Sequence, residues 1–255
     1  MPSQRVHFEN SSNDRLSGIL DLPESAPTSF AIFSHCFTCT KDLKAIVRVS
    51  RNLTKYGIGV LRFDFAGLGD SHGDFSQSNF ESNLDDIQAA QTWLASEFSP
   101  PQLVIGHSLG GAAMMASVGS GSMPSVKAIA TLAAPSCTKH LAGFLAKANS
   151  EIEELGVGQV TIGGRTHTMR RQLLESLAEY ELTEVIKRIT IPHLILHSPA
   201  DETLGFQHAE SILEHTGGAK ALVTLPDSDH LMVKNPDDVG YVADLIAIWS
   251  RRFLV

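Results

Sequence analysis

The stretch Gly106-His107-Ser108-Leu109-Gly110-Gly111 decides how this chain is read. It follows the apolar run Leu103-Val104-Ile105 and precedes Ala112-Ala113-Met114-Met115-Ala116, so it reads as strand, sharp turn, helix. A Gly-x-Ser-x-Gly turn in that setting forces the serine into a strained backbone conformation, and only small residues two positions either side let strand and helix approach. Ser108 then stands at the end of a strand. The amides after it open a helix, where N–H groups have no intrahelical acceptor and can stabilise a developing oxyanion. The plainer reading is a glycine-rich turn that merely contains a serine. An acid and a histidine elsewhere separate the two.

Working outward, the neighbouring runs Phe30-Ala31-Ile32-Phe33-Ser34, Gly59-Val60-Leu61-Arg62-Phe63 and Val126 to Leu132 are nearly continuous in apolar residues. Strands buried on both faces have this composition, which belongs to a parallel sheet covered by helices. Helical spacing fills the gaps, from Leu43 to Leu53, closed by Tyr56-Gly57, and from Asn83 to Phe98, closed by Pro100-Pro101. Arg5 to Phe8 and Leu16 to Leu22 read as an edge hairpin. Alternation stops between Pro135 and Arg188, where a helix (Leu141 to Asn149), a hairpin about Gly163-Gly164 and an amphipathic segment (Arg171 to Leu182) are expected. Because this stretch leaves the sheet at the edge that carries Ser108, it is expected to form a cap, about 136–188, within a single domain of residues 1–255. Order resumes with a strand at His193 to His197, a helix at Phe206 to His215, a strand at Ala221 to Leu225 and a helix at Val239 to Phe253. The fold class is α/β, a mostly parallel doubly wound sheet with helices on both faces and right-handed crossovers.

A serine hydroxyl is a poor nucleophile without a general base, and the base needs an acid to hold its tautomer. Both must come from loops at the same strand edge. The loop after His197 offers Asp201, with Glu202 beside it, and the loop after Leu225 offers His230. The order serine, aspartate, histidine suits this architecture. Of the other histidines, His35, His72, His107, His193 and His197 are candidates, but none lies in a late loop of the right kind. The second oxyanion donor is expected from the loop after the first buried strand, so the amides of Phe37 and Leu109 are paired in that role. The Phe37 ring also stands as a wall of the acyl pocket. His107 and the cap residues Phe144, Leu145 and Met169 complete the expected substrate contacts, with Ile152, Leu155 and Leu173 as further apolar candidates.

Composition sets the outer bounds. Of 255 residues, 43% are hydrophobic and 19% charged, so a packed core is expected. A net charge of −8 without any basic run argues against nucleic acid or an anionic membrane as partner. The N-terminus has no signal-like apolar core, and no run approaches the ~18 apolar residues of a membrane span, so a cytoplasmic protein is expected. Three cysteines, Cys36, Cys39 and Cys137, cannot all pair within the chain. Cys36-x-x-Cys39 could be a redox pair, whereas a structural zinc site would need a second Cys/His cluster that is not there. No metal or cofactor is called for.

With those residues assembled, the chain resembles an α/β-hydrolase. The segments His35-Cys36-Phe37-Thr38-Cys39, Arg62 to Gly69, Gly106 to Gly111, His197 to Thr203 and Asp229-His230 are similar to a bacterial subgroup whose hydrolase domain is often fused to an OsmC-type peroxidase domain. No such peroxidase domain is expected within this chain. More distantly it resembles feruloyl (cinnamoyl) esterases and acyl-peptide-type serine hydrolases. The resemblance runs from about residue 5 to the end. It implies a serine carboxylesterase for small to medium acyl or aryl esters, with Ser108, Asp201 and His230 as the triad and Phe37 and Leu109 as the oxyanion hole. Cys36 departs from the His-Gly that many members carry there. The expected partner is a small-molecule ester, with a homodimer left open. A thioesterase and a perhydrolase or cofactor-free haloperoxidase would use the same triad, and a ligand-binding homologue without turnover is the rival from another class.

Overall fold

A computed structural model describes residues 2–254. The chain opens with a hairpin, β1 (Ser3–Glu9) and β2 (Arg15–Asp21), whose turn is tied by Asn10 Oδ1 accepting the amides of Ser12 and Asp14. Then follow β3 (Ser29–Ser34), α1 (Lys44–Thr54), β4 (Ile58–Phe63), α2 (Phe80–Glu97), β5 (Leu103–His107), α3 (Leu109–Gly119) and β6 (Ala128–Leu132). An inserted segment holds α4 (Lys139–Ala148), α5 (Glu151–Glu154), the hairpin β7 (Val157–Ile162) and β8 (Arg165–Arg170), α6 (Arg171–Glu179) and α7 (Leu182–Ile186). The chain closes with β9 (His193–His197), α8 (Gln207–His215), β10 (Lys220–Thr224) and α9 (Pro236–Ser250).

Eight strands form one sheet in the order β1-β2-β4-β3-β5-β6-β9-β10, parallel from β4 to β10 and antiparallel where β2 joins. The period of two sends alternate side chains to opposite faces, and both faces are covered. Phe30 and Ile32 of β3, Val104 of β5 and Ile129 of β6 enter one core, shared with α2, α3 and α8. Ala31 and Phe33, Leu103 and Ile105, and Ala128 and Ala130 enter the other, beneath α1 and α9. Burying each of the larger ones, Phe, Leu, Ile or Val, stabilises the fold by about 1.5–3 kcal/mol.

Helix starts follow the sequence chemistry. Asn79 caps α2 by accepting from the Ser82 amide while Ser82 Oγ accepts from Asn79 N, a reciprocal box that starts the helix three residues before the expected Asn83. Asn235 caps α9 in the same way, by accepting from the Asp237 amide. The expected amphipathic run from Arg171 to Leu182 is helical as α6 through Glu179, and Leu182 starts α7. The backbone turns extended at Tyr180, whose ring packs 4.6 Å from that of Phe80, and α7 beyond it packs on α3.

Direction along the sheet reverses about β3. From β3 the chain moves through α1 to β4 on one side, then returns to place β5 on the other. Loops leaving the C-terminal ends of β3 and β5 therefore diverge and open a crevice, the usual ligand position in an open α/β sheet. Residues 35–43 and Ser108 lie there.

Candidate active site

Ser108 sits at φ 52°, ψ −123°, between β5 and α3. A side chain on this left-handed backbone is strained, and the surroundings enforce it. Its N–H donates to Leu132 O at 2.9 Å, and its carbonyl accepts from Gly111 N at 2.9 Å and Ala112 N at 3.2 Å. A Cβ on Gly106 would stand 2.5 Å from Gly110 O, and one on Gly110 would collide with the main-chain oxygens of Ser34 and His35. Those two glycines let the elbow lie against β3, and the buried Ser34 hydroxyl seals the contact by donating to Gly110 O at 2.8 Å.

Asp201 and His230 meet across 2.7 Å, with His230 Nδ1 donating to Asp201 Oδ2. The other carboxylate oxygen, Oδ1, accepts the amides of Thr203 and Leu204 at 2.8 and 2.9 Å. Burial disfavours the charge on Asp201, but the bonds from His230 and the two amides outweigh it and hold the carboxyl below its ordinary range. Nδ1 carries the proton in this arrangement, leaving Nε2 as the basic nitrogen. Ser108 and His230 face one cavity. No hydrogen bond joins the Ser108 hydroxyl to the imidazole among the described residues; catalytic bonds of this kind often form only once substrate is bound. Glu202, the alternative acid, lines the cavity wall and makes no bond to His230.

The cavity is about 810 Å³ and mostly apolar. Ser108, Leu109 and His230 line one side, residues 36–40, 42 and 43 another, and His140, Leu141, Phe144, Ile162 and Arg165 of the inserted segment a third. The main-chain N–H groups of Phe37 and Leu109 have no hydrogen-bond acceptor among the described residues. Cys36 and Cys39 are joined by a disulfide, with Cα atoms 5.3 Å apart, and both line the cavity; Cys137 is a free, half-buried thiol.

A sequence model described as the alpha/beta hydrolase family matches residues 31–240. The chain belongs to the alpha/beta hydrolase family. The esterase domain of a Rhodothermus marinus protein is 35% identical, with a TM-score of 0.79 and full coverage of both chains. Est1E of Butyrivibrio proteoclasticus, solved with ferulic acid bound, superposes with a TM-score of 0.84 at 20% identity, over 98% of this chain and 99% of that one; this likeness shows the fold. An uncharacterized Escherichia coli O157:H7 protein, YfhR, is 26% identical over 235 residues, 90% of this chain and 74% of its own. The protein is thus a hydrolase of this family with an esterase among its structural neighbours.

Several expected substrate contacts are elsewhere in this hydrolase. Phe37 and Phe144 line the cavity, but Leu145 and Met169 are fully buried and do not reach it. On α4 the face bearing Leu141 and Phe144 looks into the cavity, while Ala142 and Leu145 turn into the core. On β8 the pleat sends Met169 to the buried side with Val160. Ile152 and Leu173 are also core, and Leu155 is exposed away from the cavity. Ile162, Arg165 and His140 take the vacant places in the wall.

His107 is likewise buried and outside the cavity. Its Nε2–H donates to the carbonyl of His230 at 2.7 Å, and burial together with the neighbouring His230 pushes its pKa down to about 3, so it stays neutral. The loop carrying His230 is also shaped by Asp229 Oδ1, which accepts the amides of Val233 and Lys234.

Lys41 is the anchor that sequence reasoning missed. It is 3% exposed, and its Nζ donates to Asp64 Oδ2 and Asp70 Oδ2 at 2.7 Å each, while its amide donates to Asp64 Oδ1 at 2.6 Å. Arg62, also buried, donates from Nη1 to Lys41 O and Asp42 Oδ1 and from Nε to Asp21. A lysine in a polar loop carries no local sign of burial. The acidic residues that neutralise it come from another loop, 23 and 29 positions on.

Proposed function

We propose that the protein is a serine carboxylesterase acting on small to medium acyl or aryl esters. The observation that carries this reading is the His230–Asp201 hydrogen bond of 2.7 Å beside an elbow serine that opens on the same apolar cavity. Ser108 Oγ attacks the ester carbonyl as His230 Nε2 takes its proton. Asp201, held as a carboxylate, stabilises the imidazolium through Nδ1. The unpartnered amides of Phe37 and Leu109 receive the oxyanion, at positions fixed by the elbow and the 36–43 loop. His230 returns the proton to the departing alcohol. Water, activated by the same imidazole, then attacks the acyl-enzyme and releases the acid and free serine.

In this reading the inserted segment, α4 to α7, is a cap that selects the substrate. Leu141, Phe144 and Ile162 offer apolar contact, and about 810 Å³ accommodates a medium-chain or aromatic acyl group. The scheme runs on the chain's own residues without a cofactor. The 35% identity to an esterase domain supports ester chemistry over other acyl transfers.

The test is initial rates on p-nitrophenyl esters from acetate to decanoate and on methyl ferulate, for wild type and Ser108→Ala, with fluorophosphonate labelling read by peptide mass. Turnover abolished by the substitution, with the label on Ser108, is the expected result. Turnover that survives in Ser108→Ala, or a wild type with neither turnover nor label, overturns it.

A further inference from the structure

We propose that Cys36 and Cys39 form a reversible thiol–disulfide site whose redox state sets the position of the Phe37 amide and thereby the rate of acyl transfer. This inference rests on the oxyanion role given to Phe37 above. The bond closes a ring of four residues, Cys36-Phe37-Thr38-Cys39, with Phe37 inside it. Within that ring Cys39 N donates to Cys36 O at 3.1 Å, and Thr38 is held at φ 58°. A β-branched residue in the left-handed region is a conformational outlier that persists only where its surroundings over-determine it.

Around the ring the loop is pinned. On one side His35 Nδ1 bonds to Cys36 O at 2.8 Å. On the other, Lys41 is locked to Asp64 through both its amide and its ammonium. Between these anchors, among the described residues, the ring adds one local bond, from Thr38 Oγ1 to Phe37 O. The Phe37 ring packs 5.9 Å from that of Phe75, but the backbone of residues 37–39 is crosslinked by the disulfide. Opening it lets Thr38 relax toward extended backbone and breaks the Cys39 N–Cys36 O hydrogen bond, so the Cys36–Phe37 peptide plane is left with its His35 bond and can tilt, carrying the Phe37 N–H with it, while Lys41 confines the change to this stretch.

The ring is too short to matter greatly for overall stability, because the chain entropy removed by a crosslink grows with the loop it closes. Its position fits chemistry better. Both cysteines line the cavity, Cys36 almost fully buried and Cys39 half-buried, so a small thiol that enters the cavity meets Cys39 Sγ first. The co-reactant is a low-molecular-weight thiol or dithiol. Its thiolate attacks Cys39 Sγ and Cys36 leaves as thiolate, giving a mixed disulfide on Cys39. A second reagent thiolate attacks the reagent sulfur of that mixed disulfide and releases Cys39. Two electrons and two protons pass to the cysteines, and the reagent leaves as its disulfide; a small disulfide drives the reverse.

The experiment uses the full chain equilibrated in buffers of reduced and oxidised glutathione, or with dithiothreitol, followed by differential alkylation and peptide mass to count free Cys36 and Cys39. The same samples are assayed on a p-nitrophenyl ester. The expected result is that the pair opens in the folded protein, kcat falls by about 10- to 100-fold with little change in KM, and oxidised glutathione restores both bond and rate. A Cys36→Ser/Cys39→Ser variant should match the reduced wild type and ignore redox state, while Cys137→Ser should still respond. A pair that stays closed in the folded protein, or a verified dithiol with unchanged kcat, overturns the proposal and leaves the esterase reading standing. An oxidised protein that neither turns over esters nor labels at Ser108 overturns the esterase reading, and this proposal with it.

Discussion

His107 and His230, 123 residues apart, are joined by a 2.7 Å hydrogen bond from the ring of the first to the backbone carbonyl of the second. The residue immediately before the elbow serine thus ties the elbow to the loop that carries the imidazole, so the spacing of Ser108 and His230 depends in part on this side chain. His107→Ala should lower kcat by about 10- to 100-fold with KM little changed, the cost of a misplaced base. His107→Gln, which keeps an N–H donor at similar reach, should recover most of the loss. Equal losses in the two variants would show that the ring's volume, rather than its hydrogen bond, is what matters.

Two adjacent acids offer a clean comparison. Asp201 bonds to His230, whereas Glu202 does not. Asp201→Asn should reduce kcat by about 10³–10⁴-fold, because the imidazole loses the partner that fixes its tautomer. Glu202→Gln, at the cavity wall, should stay within about threefold of wild type. Steady-state kinetics on one ester decide it, and a reversed ranking would reassign the acid.

Strain at the elbow is measurable as stability. At φ 52° Ser108 occupies backbone that glycine enters freely and a Cβ does not. Ser108→Gly should therefore be more stable than Ser108→Ala by about 1 kcal/mol, or roughly 2–4 °C in Tm. Equal melting temperatures would mean that neighbouring contacts already offset the strain.

Acid should act on the fold through buried histidines. His107 and His193 are both held near pKa 3, His107 by burial and the nearby His230 and His193 by burial, against an ordinary 6.5. The unfolded chain binds these protons more readily, so their contribution is complete above about pH 6.5 and is lost as pH falls toward 3. Each adds a slope of about 1.4 kcal/mol per pH unit within that window. Asp86 works in the opposite sense. Burial raises its pKa to about 6 despite the bonds from Ala66 N and Asn10, so its neutral form favours the fold and that stability is lost as pH rises from about 3.8 to 6. Urea unfolding between pH 4 and 7 should show a net loss toward acid. His193→Gln should flatten the curve and Asp86→Asn should steepen it, and an unchanged slope in both would remove these groups from the account.

By itself the amino-acid sequence determined the alternation of strands and helices, the elbow around Ser108, the hairpins, and the loops that carry Asp201 and His230. These are written in local signals: apolar runs, glycines at a tight turn, periods of two and 3.6. Only the tertiary structure decided which face of each inserted element looks into the cavity, so that Phe144 lines it and Leu145, one residue on, does not. The same holds for the closed Cys36–Cys39 bond, for the burial of Lys41 against Asp64, and for the bond from His107 to His230. Periodicity defines the faces of a helix or strand but not what each face meets. A buried charge or a ring nitrogen acquires its role from partners tens to more than a hundred residues away, which only the packed chain brings within a hydrogen bond.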